Sequence, residues 1–238
     1  MKSKTLITAH SGADGRPDNS IEFVKYALAS KADALEVDVR KGDDGRLFLA
    51  HDARKEADTN NKKQKNAEEQ VTYLKEVFSL LALHPSMLMN CDLKEADLEN
   101  EVFALAQQCG VADRLIFSGT VDPRKKLLIN SDRIFWNIDE QIPDLYEKCM
   151  KNPLYALEAA KDMCELCKKF GIKVINVYYK LAVDEFLKIV ESYDMEISVW
   201  TVNEAEEIKH FREKGVKNIT TRKLDAWKYS KNAVEDLR

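Results

Sequence analysis

Short apolar runs alternate with longer amphipathic stretches along nearly the whole sequence, and this alternation limits the folds open to the chain. Nine runs have the length and residue types of β-strands: 5–10, 34–40, 47–52, 87–94, 114–119, 133–139, 173–179, 196–202 and 218–221. Six stretches with helical spacing of apolar residues fall between most of them: 20–30, 71–83, 95–109, 154–170, 182–192 and 203–214. Strands that alternate with helices favour parallel βα units, so we predict an α/β fold.

The run 47–52 differs from the others because a turn signal, the DDG at 43–45, joins it directly to the run before it. We interpret it as the return arm of a β-hairpin, which leaves eight strands for the main sheet. Eight βα units in 238 residues is the size of a TIM (β/α)8 barrel. An open, doubly wound sheet is the alternative, but no glycine-rich phosphate loop favours it. We therefore expect a single barrel domain over residues 1–238.

Composition narrows the class of protein. The chain is 45% hydrophobic and 33% charged with a net charge of −4, which is typical of a globular protein with a sizeable core and does not favour nucleic acid as a partner. The first residues lack the apolar core of a signal peptide, and no stretch approaches membrane-spanning length, so we expect a cytoplasmic protein. Cys164 and Cys167 form a CxxC within a helical pattern, which we interpret as two small core residues rather than a redox or metal pair.

Two segments have no clear place in the alternating pattern. Residues 53–70 are highly charged, and we expect a loop inserted after the hairpin; the alternative is a mobile lid, because the segment begins soon after His51. Residues 139–153, which include Tyr146, either line a pocket at the barrel mouth or form a partly ordered βα loop. Both segments would influence which ligand enters.

The hairpin carries polar residues where apolar ones are expected. Glu36 and Asp38 lie two apart on one strand and so share a face, which in a barrel points inward near the C-terminal mouth. With a two-residue loop at Asp44 and Gly45, His51 would lie opposite Asp38 on that same face. A three-residue loop would break this register.

Other predicted strands end in polar residues at the same mouth. His10 ends the first strand, Asp92 and Lys94 end the run 87–94, and Trp200 ends the run 196–202. His84 and His210, by contrast, are predicted to be ordinary surface residues.

Together these residues suggest a metal site with acid–base groups beside it. The carboxylates of Glu36, Asp38 and Asp92 favour a hard cation with oxygen ligands, Mg²⁺ or Ca²⁺. His10 and His51 beside such a metal could serve as general base and general acid. The alternative is that these groups only pair with each other or with lysines.

The motifs, taken in order, resemble those of the glycerophosphodiester phosphodiesterases. That family carries HRG, P-E-N-T, E-x-D-V, a D-G turn, H-D, E-x-K, W-T-V-N and a closing T-D-x-P. This sequence has HSG (10–12), PDNS (17–20), EVDV (36–39), DG (44–45), HD (51–52), DLK (92–94), WTVN (200–203) and TTRKLD (220–225). The resemblance covers nearly the whole chain.

The resemblance implies a TIM barrel that uses a divalent metal to cleave small glycerophosphodiesters to an alcohol and glycerol 3-phosphate. Residue by residue, it implies metal ligands at Glu36, Asp38 and Asp92, of which the last replaces a glutamate, and an acid–base pair at His10 and His51. It implies that Lys94 lies near the phosphate, and we predict substrate contacts at Ser11, Lys94, Trp200 and Arg222.

Several positions depart from the family pattern. Ser11 replaces the motif arginine, Asp18 replaces the glutamate of P-E-N-T, and Arg222 replaces the aspartate of T-D-x-P. A serine cannot supply the charged fork of an arginine, so Arg222 or Arg16 is a candidate to replace it. The stretch DNSIE (18–22) also has an explanation in local structure, because Asn19 or Ser20 is a typical helix N-cap.

Three functions are therefore open. The first is a metal-dependent glycerophosphodiester phosphodiesterase, and the second is a phosphodiesterase of altered substrate range. The third is a catalytically weak or inactive barrel that binds a phosphorylated ligand, a hypothesis supported mainly by the lost arginine. The alcohol leaving group, the identity of the metal and the oligomeric state do not follow from the sequence.

Overall fold

The computed structural model describes residues 4–53, 71–139, 141–142 and 144–227. The strands are β1 (Leu6–Ala9), β2 (Ala34–Lys41), β3 (Leu47–Leu49), β4 (Leu88–Leu93), β5 (Leu115–Gly119), β6 (Phe135–Asn137), β7 (Val174–Tyr178), β8 (Glu196–Trp200) and β9 (Asn218–Thr221). The helices are α1 (Ile21–Ala29), α2 (Leu74–Ala82), α3 (Glu99–Gln108), α4 (Leu145–Lys151), α5 (Pro153–Phe170), α6 (Asp184–Ser192) and α7 (Ala205–Lys214). All nine predicted strands and all six predicted helices are present.

Eight of the strands form a parallel barrel. Their order around the sheet is β5-β4-β2-β1-β9-β8-β7-β6, and every pairing along it is parallel. A parallel bridge between Phe117 and Ile134 joins β5 to the residue just before β6 and brings the two ends of the sheet together. The predicted TIM barrel is therefore confirmed.

Alternation along the strands divides the buried residues into two cores. On β2, Leu35, Val37 and Val39 are fully buried in the main core between the sheet and the helices. On the opposite face, at the beginnings of their strands, Ile116 and Phe135 pack with two neighbours from β4 and β7 as a separate small cluster. This second cluster is the apolar floor of the barrel, defined by Leu88, Ile116, Phe135 and Val174.

A layer of small polar side chains lies above the apolar floor, about two residues further along each strand. Its members are buried and hydrogen-bonded in neighbouring pairs: Asn90 Nδ2 to Ser118 Oγ (2.9 Å), Asn176 Nδ2 to Asn137 Oδ1 (2.8 Å), Asn218 Nδ2 to Ser198 Oγ (3.0 Å) and Thr8 Oγ1 to Asn218 Oδ1 (2.6 Å). Because buried polar groups are costly unless they are paired, these bonds make a polar barrel interior possible. The layer supports the base of the cavity at the barrel mouth.

The β2–β3 hairpin is present, and its loop is the three-residue alternative. Val39 pairs with Leu49, and the Gly42 N–H donates to the Arg46 carbonyl at 2.9 Å, so three residues, 43–45, form the loop. Gly45 adopts φ +78°, as expected for the last residue of such a loop. Asp38 therefore lies opposite Ala50, whose N–H donates to the Asp38 carbonyl at 3.2 Å, and not opposite His51.

The two segments outside the alternating pattern differ in outcome. Part of 139–153 forms α4, which docks on the core through Leu145 and Cys149. Of the predicted loop 53–70, only Ala53 belongs to the described residues. Cys164 and Cys167 are fully buried in the main core on α5, with free thiols, as the core interpretation of the CxxC predicts.

Among the described helices, none is both long enough and apolar enough to cross a bilayer.

Candidate active site

A cavity of about 380 Å³ opens at the C-terminal ends of the barrel strands. Every site residue predicted from the sequence lines it except Ser11: His10, Glu36, Asp38, His51, Asp92, Lys94, Trp200 and Arg222. Residues of the polar layer form its base: Asn90, Ser118, Asn137 and Asn176. The strands therefore bring together side chains that are far apart in the sequence.

Three carboxylates form the centre of the cavity wall. Asp38 and Asp92 are register partners on β2 and β4, and Glu36 lies two residues before Asp38 on the same face. Each of the three offers an oxygen atom within 4.8 Å of the others. The Glu36 and Asp38 residues are 5% and 3% exposed, so their charges are held largely away from water.

Lys94 neutralises part of this negative charge. Its Nζ lies 2.8 Å from Asp38 Oδ1 and 2.5 Å from Asp92 Oδ2. Burial alone would lower the pKa of Lys94, but the Asp92 and Asp38 carboxylates outweigh it and raise that pKa above its ordinary value. The ammonium group is therefore charged and held inside the site.

One lysine does not balance three carboxylates. Burial, followed by the nearby charges of Asp38 and Asp92, raises the pKa of Glu36 well above its ordinary value. The negative charges of these carboxylates therefore repel one another, and a further cation would offset that repulsion.

The donor set fits a hard divalent cation. It consists of carboxylate oxygens, and Asn90 Oδ1 is buried on the cavity wall without a hydrogen-bond partner among the described residues. Oxygen ligands of this kind suit Mg²⁺ or Ca²⁺. The residues Glu36, Asp38 and Asp92 are thus a candidate metal site.

Asn19 orients one of these carboxylates, and sequence reasoning did not assign it that role. Its Nδ2 donates to Asp38 Oδ2 at 2.6 Å, and its Oδ1 accepts from the Asp38 backbone N–H at 3.0 Å. The helix cap is made by the next residue, since Ser20 Oγ accepts from the Phe23 N–H at 3.0 Å. The asparagine shared by PDNS and the P-E-N-T motif was the signal that could have identified it.

Ser11, which we predicted to contact substrate, has a supporting role in this structure. The residue is 0% exposed and does not line the cavity. Its Oγ accepts from the Asn19 N–H at 2.7 Å, and its own N–H donates to Glu36 Oε2 at 2.9 Å. Gly12 follows at φ +76°, a backbone conformation that favours glycine.

His10 lies at the base of the cavity beside the carboxylates. Its Nδ1 is 2.9 Å from the Ser11 carbonyl, 3.2 Å from Arg222 Nε and 3.7 Å from Glu36 Oε2. Burial lowers the pKa of His10; the Ser11 carbonyl opposes this shift and the Arg222 charge adds to it. A neutral imidazole is favoured, and a neutral imidazole can accept a proton.

His51 occupies the rim of the cavity. Its side chain is 70% exposed, and its Nδ1 lies 2.8 Å from Asp52 Oδ1. The Arg40 guanidinium holds the backbone, donating to the His51 carbonyl from Nε (3.1 Å) and Nη2 (2.8 Å). The two predicted catalytic histidines thus line one cavity but differ sharply in exposure.

A row of three aromatic rings begins at Trp200 on the cavity wall. The Trp200 ring lies 5.6 Å from that of Tyr178, which lies 5.1 Å from that of Tyr146 on α4. Trp200 lines the cavity, so this row of rings connects the site to the segment 139–153.

Comparison with known proteins finds relatives that are similar in sequence. The sequence model of the "Glycerophosphoryl diester phosphodiesterase family" matches residues 10–100. This range contains six of the predicted site residues that line the cavity: His10, Glu36, Asp38, His51, Asp92 and Lys94. The chain is 26% identical to a glycerophosphodiester phosphodiesterase of Bacillus altitudinis over 248 residues, covering 91% of this chain and 94% of that protein.

Solved structures share the fold. A putative glycerophosphoryl diester phosphodiesterase from Agrobacterium tumefaciens superposes with a TM-score of 0.72 at 16% identity, covering 98% of this chain and 100% of the other. An Oleispira antarctica phosphodiesterase in complex with the product sn-glycerol-3-phosphate superposes with a TM-score of 0.67 at 15% identity, covering 97% and 96% of the two chains. The family model over residues 10–100 and the relative aligned over nearly its whole length make this chain similar in sequence to the glycerophosphodiester phosphodiesterases, and the solved structures share its barrel fold.

Proposed function

We propose that this protein hydrolyses small glycerophosphodiesters to an alcohol and glycerol 3-phosphate, and that it depends on a divalent metal. The observation that carries the proposal is the convergence of three carboxylates and two histidines on one cavity at the barrel mouth. The sequence match to the family over residues 10–100 supports this reaction class, as does the product found in the Oleispira antarctica structure of the same fold.

Glu36, Asp38 and Asp92 are the proposed ligands of the metal, Mg²⁺ or Ca²⁺. When bound, such an ion polarises a phosphoryl oxygen and stabilises the charge that develops on it. Asn19 fixes the orientation of the Asp38 carboxylate, and Ser11 that of the Glu36 carboxylate, through the hydrogen bonds described above. Lys94 supplies a second positive charge close to the phosphate.

The proposed acid–base pair is His10 and His51. One histidine accepts the proton of the glycerol hydroxyl next to the phosphodiester, and the hydroxyl oxygen forms a bond to phosphorus. The bond from phosphorus to the leaving oxygen breaks, and the other histidine gives that oxygen a proton, which releases the alcohol. Water then opens the resulting cyclic phosphate to glycerol 3-phosphate, with the proton transfers reversed.

The test is release of glycerol 3-phosphate from glycerophosphocholine and glycerophosphoethanolamine, with Mg²⁺, Ca²⁺ or Mn²⁺ or with EDTA. We expect turnover that EDTA abolishes and that His10→Ala lowers by roughly 10²- to 10⁴-fold. His210→Ala is the matched control, because His210 is exposed beside Asp184 and does not line the cavity. Turnover that survives both EDTA and His10→Ala contradicts the proposal, and no turnover with any metal favours the ligand-binding alternative.

A further inference from the structure

The cavity has few positive charges with which to bind a phosphate group. Among its described lining residues, four are acidic, namely Glu36, Asp38, Asp92 and Asp139, and the permanently charged basic residues are Lys94 and Arg222. Lys94 is already engaged with two carboxylates. A phosphodiester carries a negative charge of its own, so among the side chains its binding depends strongly on Arg222.

Arg222 is held at the cavity wall by its backbone. It follows the last strand, β9; its N–H donates to Asn203 Oδ1 at 2.9 Å, and its carbonyl accepts from the Asp14 N–H at 2.8 Å. The base of the guanidinium lies beside His10, with Nε 3.2 Å from His10 Nδ1. A backbone fixed on both sides makes the position of this cation predictable.

The guanidinium of Arg222 forms an exposed ion pair with Asp18. Its Nη1 lies 3.1 Å from Asp18 Oδ1, and the two side chains are 42% and 53% exposed. Exposed ion pairs of this kind contribute little to stability. A phosphate with its several oxygens can therefore replace or share this partner at small cost, and it accepts the two-pronged hydrogen bonding that a guanidinium offers.

We propose that Arg222 binds the phosphate group of substrate and product, and so supplies from the last strand the guanidinium that Ser11 cannot supply from the first. This inference rests on the proposed function. Ser11 is buried and bonded to backbone and carboxylate partners, so it leaves the phosphate without a cation at that position.

Arg16, the other candidate in the sequence, does not fit this role. Its guanidinium stacks on the Tyr26 ring at 4.6 Å and lies 3.8 Å from Glu22 Oε1. It does not line the cavity. Arg16 therefore provides a matched control in which an arginine is removed close to the site but outside it.

The test is binding of sn-glycerol 3-phosphate, measured by titration calorimetry at fixed ionic strength with Mg²⁺ present. Arg222→Ala should weaken binding about tenfold or more, because it removes charge-assisted hydrogen bonds. Arg222→Lys should recover part of the loss, since it keeps the charge but not the fork. Arg16→Ala should bind like the wild type, and Asp18→Asn, which removes the competing carboxylate, should bind more tightly.

Two results overturn the inference. One is Arg222→Ala binding glycerol 3-phosphate within twofold of the wild type. The other is that Asp18→Asn weakens glycerol 3-phosphate binding as much as Arg222→Ala does. That result would mean that the ion pair between Asp18 and Arg222 only supports the fold. If the wild type hydrolyses substrate while Arg222→Ala retains affinity, this inference fails and the proposed function stands; if the wild type neither hydrolyses nor binds, both fail.

Discussion

At the scale of single residues, the direction in which a side chain points decides whether its polar group reaches the cavity. On strands, side chains alternate strictly, so the sequence alone predicted that Glu36 and Asp38 share a face. In the turn after β1 no such period applies. The side chains of Ser11 and Asn19 there point to the carboxylates or the backbone, and only the fold shows this. The direction of a strand-borne side chain is therefore predictable, whereas the directions of the Ser11 and Asn19 side chains are not.

Asn19 and Ser20 are neighbours with separable roles, which gives a residue-scale prediction. Asn19→Ala removes both hydrogen bonds to Asp38 and should weaken Mg²⁺ or Ca²⁺ binding by roughly 10- to 100-fold. Ser20→Ala removes the cap of α1 and should lower the free energy of unfolding by about 1 kcal/mol with metal affinity unchanged. Calorimetric metal titration and urea unfolding measure the two effects; equal metal affinity in both variants would refute the assignment.

At the scale of elements, the hairpin shows why loop length was harder to predict than the strands. An Asp-Gly pair fits both a two-residue turn and the end of a three-residue loop, because both need a glycine at positive φ. The two loops differ by one residue in register, and that residue moves His51 away from the position opposite Asp38. The short helix α4 was missed for a similar reason, since its seven residues carry little periodic signal.

Two glycines at positive φ provide the element-scale prediction. A Cβ atom at Gly45 would meet nothing within 4 Å, so Gly45→Ala should cost only the backbone strain, about 1–2 kcal/mol. At Gly119, at the end of β5, a Cβ atom would lie 2.3 Å from the Leu93 carbonyl oxygen and 2.8 Å from the Leu93 nitrogen. Gly119→Ala should therefore cost clearly more in urea unfolding. Equal costs would show that β4 and β5 can separate locally.

At the scale of the whole molecule, the barrel has an apolar floor beneath a polar layer. The alternating pattern predicted the barrel and its main core, because both depend on period and length. It did not predict the hydrogen-bonded asparagines and serines inside, since their pairing depends on which strands become neighbours. Barrel closure determines those neighbours.

Phe135 provides the whole-molecule prediction. It is 3% exposed within the apolar floor and away from the cavity, so Phe135→Ala should lower the free energy of unfolding by about 3–5 kcal/mol. Leu128→Ala, at a residue that is 58% exposed, should change it little. Metal affinity measured on the folded fraction should be the same in both variants. A loss of metal affinity in Phe135→Ala would mean that the floor and the carboxylates are coupled through the polar layer.

The pairing of the first strand with the last has a consequence for how a ribosome makes this protein. β1 and β9 are hydrogen-bonded along their whole shared length, and His10 meets Arg222 across 212 residues of chain. The three carboxylates leave the ribosome long before Arg222 does. The cavity can therefore be completed only after β9 has left the ribosome and paired with β1.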